Sequence, residues 1–274
     1  MLSHEMLKVG IVGCGFIGTT LARAIDGGVV EAELLAVYDR NIERARGLAA
    51  SLSHPPDVMD VESMAKSCEL VVECASQQAV KELAHTVLSN ECSLMVMSVG
   101  ALLDEKLRDE LEKLARAHRE KIYVPSGALA GLDGLRAACV GKIHRMELTT
   151  TKPPMALVGA PHLREANIDV ERLKVPTVVF EGTAIDAVRG FPANINVAAA
   201  ISLAGMGAEK TRVRIVADPS AQRNTHTLLV EGEFGRLECT VQNVPSPENP
   251  KTSMLAALSA ISTLKRIAQP LQVG

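Results

Sequence analysis

The chain has 274 residues, 47% of them hydrophobic and 22% charged, so it can bury a full core and is neither a disordered segment nor a disulfide-stapled miniature. Against 32 Asp and Glu stand 29 Lys and Arg, a net charge of −3 with neither sign gathered into a long block, which excludes a nucleic-acid or membrane surface as partner. Four Phe, two Tyr and no Trp leave little with which to stack exposed bases.

In chain order, Leu7 to Val12 is a short apolar run ended by Gly13-Cys14-Gly15, and Ile17 to Ile25 reads as a helix with Leu21, Ala24 and Ile25 on one face. Further apolar runs follow at Leu34–Tyr38, Leu70–Cys74, Leu94–Val99 and Ile122–Val124, separated by helical stretches such as Gln77–Leu88 and Asp104–His118. Runs that are apolar throughout rather than alternating suit strands covered on both faces, so the first 125 or so residues are expected to form one α/β domain, a doubly wound parallel sheet of the Rossmann type. Past Pro125 the texture changes. Glu147–Lys152, Val213–Ala217 and Thr227–Val241 are rich in Thr, Val and Leu and predict a second, mostly antiparallel sheet in an α+β domain spanning 126–244. One helix is expected to open at Phe191-Pro192 and close near Gly205, and a last one to open at Asn249-Pro250 and run to about Ile267.

The six cysteines, Cys14, Cys68, Cys74, Cys92, Cys139 and Cys239, contain no Cys-x-x-Cys pair, and several sit in apolar strand-like runs where a thiol behaves as a small hydrophobe. That usage suits a reducing compartment, and no metal site is expected. The longest uncharged run, Gly190 to Ala208, carries a proline, two asparagines and three glycines and fails as a membrane span. Glu5 and Lys8 precede the glycine motif without a cleavage site, so the N-terminus does not read as a secretory signal and cytoplasmic residence is expected.

Gly13-x-Gly15-x-x-Gly18 lies between the first strand and the first helix, the context in which it binds a dinucleotide. Gly13 permits the turn, Gly15 admits a pyrophosphate to the backbone, and Gly18 lets helix and strand pack closely. Phe16 and Ile17 belong to the same turn. Asp39, 21 residues after Gly18 at the end of the second strand, is placed to accept from the adenosine ribose hydroxyls and favours NAD, while Arg40 beside it is able to cover a 2′-phosphate, so NADP stays open. The turns at Ala75-Ser76, Ser98-Val99-Gly100 and Ser126-Gly127-Ala128 leave the strand ends where substrate chemistry is expected, although each also reads as a plain capped connection.

Most histidines fall in polar loops or on helix surfaces. His226 starts a strand whose same-face neighbours Leu228 and Val230 point to a core, and by itself it reads as a satisfied structural histidine. Asn194 and Asn196 in the Pro192 helix are either caps or ligand contacts. Lys251, Thr252 and Ser253 gather a cation and two hydroxyls after Pro250, a carboxylate site or a well-capped helix.

Longer motifs add to this reading: Ala75-Ser-Gln-Gln-Ala-Val80, Ser126-Gly-Ala-x-x-Gly-Leu-Asp133, Phe191-Pro-x-Asn-x-Asn-Val-Ala-Ala199, Val216-Ala-Asp218, Asn224-x-His226, Gly232-Glu-Phe-Gly235 and Asn249-Pro-Lys-Thr-Ser253. Together with the glycine motif they resemble the L-aspartate dehydrogenases that supply NAD biosynthesis, over nearly the whole chain. Cys14 and Phe16 fill variable positions, and Lys152–His162 looks like a longer, Pro-containing loop. The resemblance implies NAD(P)+-dependent oxidation of L-aspartate to iminoaspartate, then oxaloacetate and ammonia, with a link to quinolinate synthesis. It assigns His226 as the catalytic base and Ala130 and Asn196 as cofactor contacts. It also implies a homodimer and a C-terminal segment, 245–274, that completes the nucleotide domain. An imidazole near its ordinary pKa of ~6.5 suits the expected proton traffic. Ser126, Lys251, Thr252 and Ser253 are candidates for holding the substrate. A reductase of another small carboxylate, similar to dihydrodipicolinate reductase or homoserine dehydrogenase, and a non-catalytic NAD(P)-sensing regulator are the alternatives.

Overall fold

A computed structural model describes residues 6–192, 195–244 and 253–272, and the chain divides into two units, Met1–Pro125 with Ala257–Gly274, and Ser126–Ala256. In the first unit β1 (Leu7–Val12), α1 (Phe16–Asp26), β2 (Ala32–Tyr38), α2 (Ile42–Ala50), β3 (Asp57–Val58), α3 (Val61–Ser67), β4 (Leu70–Glu73), α4 (Gln77–Ser89), β5 (Ser93–Val96), α5 (Glu105–His118) and β6 (Ile122–Tyr123) alternate along the chain. The strands order as β3-β2-β1-β4-β5-β6 and every described pair is parallel. That is the doubly wound order, and its direction reverses between β1 and β4, which opens a crevice at their carboxyl ends. β4 is buried at all four residues, the reason it reads as an unbroken apolar run. Strand β3, only two residues long, has no such signal and was not among the predicted strands.

The second unit holds α6 (Leu132–Ala138), β7 (Ile143–Lys152), α7 (Pro161–Glu165), β8 (Thr177–Thr183), α8 (Ala184–Gly190), α9 (Asn196–Ala204), β9 (Arg212–Ala217), β10 (Asn224–Gly232) and β11 (Gly235–Asn243). Its sheet runs β11-β10-β7-β9-β8, antiparallel except that β7 and β9 are parallel. One face packs Met146, Leu148, Val213, Ile215, Leu228 and Val230 into a core with α6, α8 and α9. The final helix, α10 (Met254–Ala268), contributes Ala260 and Leu264 to the core of the first unit, beside Val9 and Ile11.

Three expectations change. The helix predicted from Phe191-Pro192 starts at Asn196 instead, because α8 has ended only at Gly190 and Phe191 caps it by donating its N–H to Ala187 O at 2.8 Å. The region Lys152–His162 is not loop throughout: Lys152 closes β7, and His162 lies in α7 with its ring 5.3 Å from that of Phe180 and 5.5 Å from that of Phe191, so it is no surface histidine. Asn194, Asn249 and Pro250 lie outside the described residues, as do Lys251 and Thr252.

Candidate active site

The glycine turn is built by backbone demands. Gly13 sits at φ +98°, where a side chain is strained, and donates its N–H to Tyr38 O at 2.7 Å. A Cβ on Gly18 would collide with Gly13 O, so only glycine lets α1 leave the turn this closely. Gly15 faces open space: a Cβ there meets nothing within 4 Å, and as N-cap of α1 it offers no side-chain acceptor to the first helical N–H groups. Open space in front of uncapped donors is what a pyrophosphate requires. A cavity of about 520 Å³ adjoins Gly13, Gly15, Asp39, Arg40, Arg44 and Ala75. The residues present therefore fit a dinucleotide.

Asp39 at the end of β2 is tied to that turn. Its Oδ2 accepts the Cys14 N–H at 2.8 Å and its Oδ1 the Asn41 N–H at 2.8 Å, while the Arg44 guanidinium lies 4.0 Å away. Arg44 was not among the sequence candidates, since nothing along the chain marks it as facing Asp39 across the first turn of α2. The Cys14 thiol is pushed up to about 11 by burial, first, and by the Asp39 charge, so it packs as a small hydrophobe rather than reacting.

Glu73, which closes β4, was also missed. It is fully buried, and Oε1 accepts the N–H groups of Ala75 at 2.7 Å and Ser76 at 2.8 Å and the Ser98 hydroxyl at 2.8 Å, while Oε2 accepts the Ser98 N–H at 2.9 Å. Burial raises its pKa against the pull of those donors. One carboxyl thus fixes the turns after β4 and β5, including the Ala75-Ser76 pair.

In the second unit the buried face of β10 presents Asn224, His226, Leu228 and Val230, and that of β7 presents Met146, Leu148, Thr150 and Lys152. His226 pairs with Thr150 in the register of β10 on β7, and its Nδ1 lies 2.9 Å from Thr150 Oγ1. The ring is 3% exposed. Burial, with the Lys152 charge adding to it, pulls His226 down to about 3, which corrects the expectation of an ordinary imidazole. It is neutral throughout the working range of pH. Asn243, opposite Asn224 on β11, donates its Nδ2 to Ala128 O at 2.9 Å and so pins the Ser126–Gly131 turn.

A family model for the C-terminal part of aspartate dehydrogenase matches residues 133–267, and one for the NAD-binding domain of homoserine dehydrogenase matches residues 13–125. The L-aspartate dehydrogenases of Methanosarcina acetivorans and Methanosarcina mazei are each 54% identical to this chain over 98% of it and 100% of their own length. The chain belongs to the aspartate dehydrogenase family. The crystal structure of aspartate dehydrogenase from Thermotoga maritima, 31% identical, superposes with a TM-score of 0.77 over 99% of this chain and 100% of that one. The homoserine dehydrogenase likeness is that of the nucleotide domain, whereas the residues around His226 fall in the aspartate dehydrogenase match. A nicotinamide dinucleotide is accordingly the cofactor of this chain.

Of the remaining candidates, Ala75 and Arg40 are exposed, and Ser76 is half-buried and caps α4 by accepting the Ala79 N–H at 3.1 Å. Phe16 and Ile17 open α1, half-buried. In the second unit Ser126 is half-buried, Ala130 and Asn196 are exposed, and Ser253 is buried just before α10. Among the described residues no group of three or more His, Cys, Asp or Glu is arranged to hold a metal ion, and no helix is long and apolar enough to cross a membrane.

Proposed function

We propose that this chain oxidises L-aspartate with NAD+ or NADP+, giving iminoaspartate, the reduced dinucleotide and a proton, after which water converts the imine to oxaloacetate and ammonia. The observation that carries this reading is a buried, neutral histidine oriented by a neighbouring hydroxyl, in a chain 54% identical end to end to proteins named L-aspartate dehydrogenase. Bound, the dinucleotide supplies the hydride acceptor. Gly15, Phe16, Ile17 and Gly18 would hold its pyrophosphate by the backbone N–H groups that open α1, with Gly13 making the turn, while Asp39 and Arg40 would take its adenosine ribose and Ala75 and Ser76 would offer it the turn that Glu73 fixes. Ala130 and Asn196 are the cofactor contacts of the second unit.

His226 acts as general base. With Nδ1 engaged by Thr150, Nε2 is the nitrogen that takes a proton from water as the oxygen bonds to the imine carbon. That proton then goes to the nitrogen, and as the C–N bond breaks and ammonia leaves, the carbinolamine O–H gives its proton back to Nε2 and the C=O bond of oxaloacetate forms. An imidazole held near 3, chiefly by burial, is a feeble base, and a bound dicarboxylate, by setting negative charge against the Lys152 cation that adds to the depression, raises its basicity at the moment it is used. Ser126 and Ser253, with Lys251 and Thr252, are further substrate contacts.

The protein works as a homodimer in the cytosol, and the imine has two fates there: hydrolysis at His226, or withdrawal by quinolinate synthase when that enzyme is at hand. To test the reaction, the purified chain is given L-aspartate, L-glutamate, L-alanine, L-homoserine or L-malate with each dinucleotide, and the absorbance of the reduced nicotinamide is followed. Reduction that depends on L-aspartate and disappears in His226→Ala supports the reading. Cofactor binding without turnover on any of these substrates overturns it.

A further inference from the structure

Asn224 is the first residue of β10 and has no solvent exposure, yet among the described residues neither its Nδ2 nor its Oδ1 finds a hydrogen-bond partner. An amide is not left wholly unmet in a core without reason, since each buried polar group without a partner is destabilising. Its surroundings suggest the reason. The register that pairs Thr225 with Thr151 and His226 with Thr150, carried one residue further, sets Asn224 beside Lys152, and both side chains are on the face that carries His226. Lys152 is 3% exposed and close enough to His226 for its charge to be felt there. A buried cation, an amide with donor and acceptor both unmet, and a neutral histidine thus share one end of one sheet face.

We propose that Asn224 and Lys152 form the subsite for the amino-acid end of the substrate, its carboxylate held by Asn224 Nδ2 and the Lys152 ammonium and its amine N–H received by Asn224 Oδ1. An unmet donor and an unmet acceptor on one amide are satisfied together by a ligand that presents an acceptor and a donor on adjoining atoms, as an α-amino acid does. Charge pairing by Lys152 gives the carboxylate its affinity, and the amide gives it orientation. The placement brings the reacting carbon, which carries both groups, to the residue two positions along the strand, His226. Among the described residues no other buried side-chain nitrogen or oxygen is left unmet.

This subsite rests on the dehydrogenase reading, so turnover and binding are measured separately. Turnover of the unaltered chain with L-aspartate tests the reaction; calorimetric binding of L-aspartate and of succinate to the chain saturated with NADH tests the subsite. In Asn224→Ala the affinity for L-aspartate falls at least about tenfold, and further than that for succinate, which has no amine to lose. The nearly isosteric Asn224→Asp, which sets an anion where the donor stood, weakens both ligands, while Lys152→Met weakens both and Lys152→Arg recovers part. NADH affinity stays unchanged in all four, and Thr225→Val, on the opposite face, leaves L-aspartate binding as it was. Unaltered L-aspartate affinity in folded Asn224→Ala and Asn224→Asp overturns the subsite whether or not the chain turns over; an equal loss for succinate and L-aspartate in Asn224→Ala overturns the amine contact.

Discussion

The backbone N–H of Cys14 donates to Oδ2 of Asp39 over 2.8 Å, which joins the glycine turn to the acid we propose for the adenosine ribose. One oxygen of the carboxylate is therefore oriented by the turn, and the whole group is 14% exposed in its side chain, with Arg44 at 4.0 Å. Arg40 and Arg44 adjoin the same cavity. A carboxylate there repels a 2′-phosphate, and two guanidinium groups are already present to receive one. Replacing Asp39 by Ser is expected to raise the KM for NAD+ about tenfold or more and to lower that for NADP+, a reversal read from initial rates with each dinucleotide. Equal losses for both would show that Asp39 does no more than brace the turn.

The depressed imidazole of His226 has a sign that can be checked. Its folded value near 3 lies below the ordinary 6.5, so between those limits the unfolded chain binds the proton and the folded chain does not. The stability associated with this residue is complete above 6.5 and is lost as the pH falls toward 3. Urea unfolding of the unaltered chain and of His226→Gln is expected to diverge in favour of the variant by about 1.4 kcal/mol for each pH unit below 6.5. The free enzyme's kcat/KM for L-aspartate should likewise lack an acid limb near 6.5. A limb there, absent from a variant with an unaltered pH–stability curve, would place the titrating imidazole in solvent.

Glu73 organises two turns at once. Four donors, from Ala75, Ser76 and both polar groups of Ser98, converge on one buried carboxyl. Removing an acceptor from a buried donor costs about 1–3 kcal/mol, so Glu73→Ala is expected to lose about 3 kcal/mol or more, and Glu73→Gln less because its carbonyl oxygen still accepts. Hydrogen exchange should quicken first at the amides of Ala75, Ser76 and Ser98. Loss spread evenly over the sheet, with those amides still protected, would mean that the turns hold without the carboxyl.

The first unit was legible because its requirements are local. Gly13 and Gly18 obey backbone constraints within six residues of chain, and the central strands β1, β4 and β5, largely buried, write themselves as apolar runs. Strand β3 and the helices α6, α7 and α8 are too short for a period to show. The second site was half legible. Alternation along β10 placed His226 with Leu228 and Val230, but its partner Thr150 lies 76 residues away, and no pattern in sequence states which strand β10 will join. Lys152 looked like the start of a loop, and only the pairing of β7 with β10 reveals a buried cation beside the histidine. Glu73 was hidden similarly, an acid at the end of an apolar run whose donors come from two separate turns.

Gly15 and Gly18 belong to one motif but answer to different forces, and substitution separates them. At Gly18 a Cβ meets the carbonyl of Gly13, a backbone atom that cannot swing aside, so Gly18→Ala must push α1 off β1. Overpacking of this kind costs about 1–3 kcal/mol, visible as a lowered urea midpoint with or without cofactor. At Gly15 φ is −80° and a Cβ meets nothing within 4 Å, so Gly15→Ala is expected to fold with unchanged stability. The methyl instead occupies the space through which a pyrophosphate reaches the first N–H groups of α1. NADH affinity should therefore drop at least about tenfold in Gly15→Ala while its midpoint without cofactor matches the unaltered chain. A Gly15→Ala chain that binds NADH normally would move the pyrophosphate away from this turn, and with it the assignment of Phe16 and Ile17.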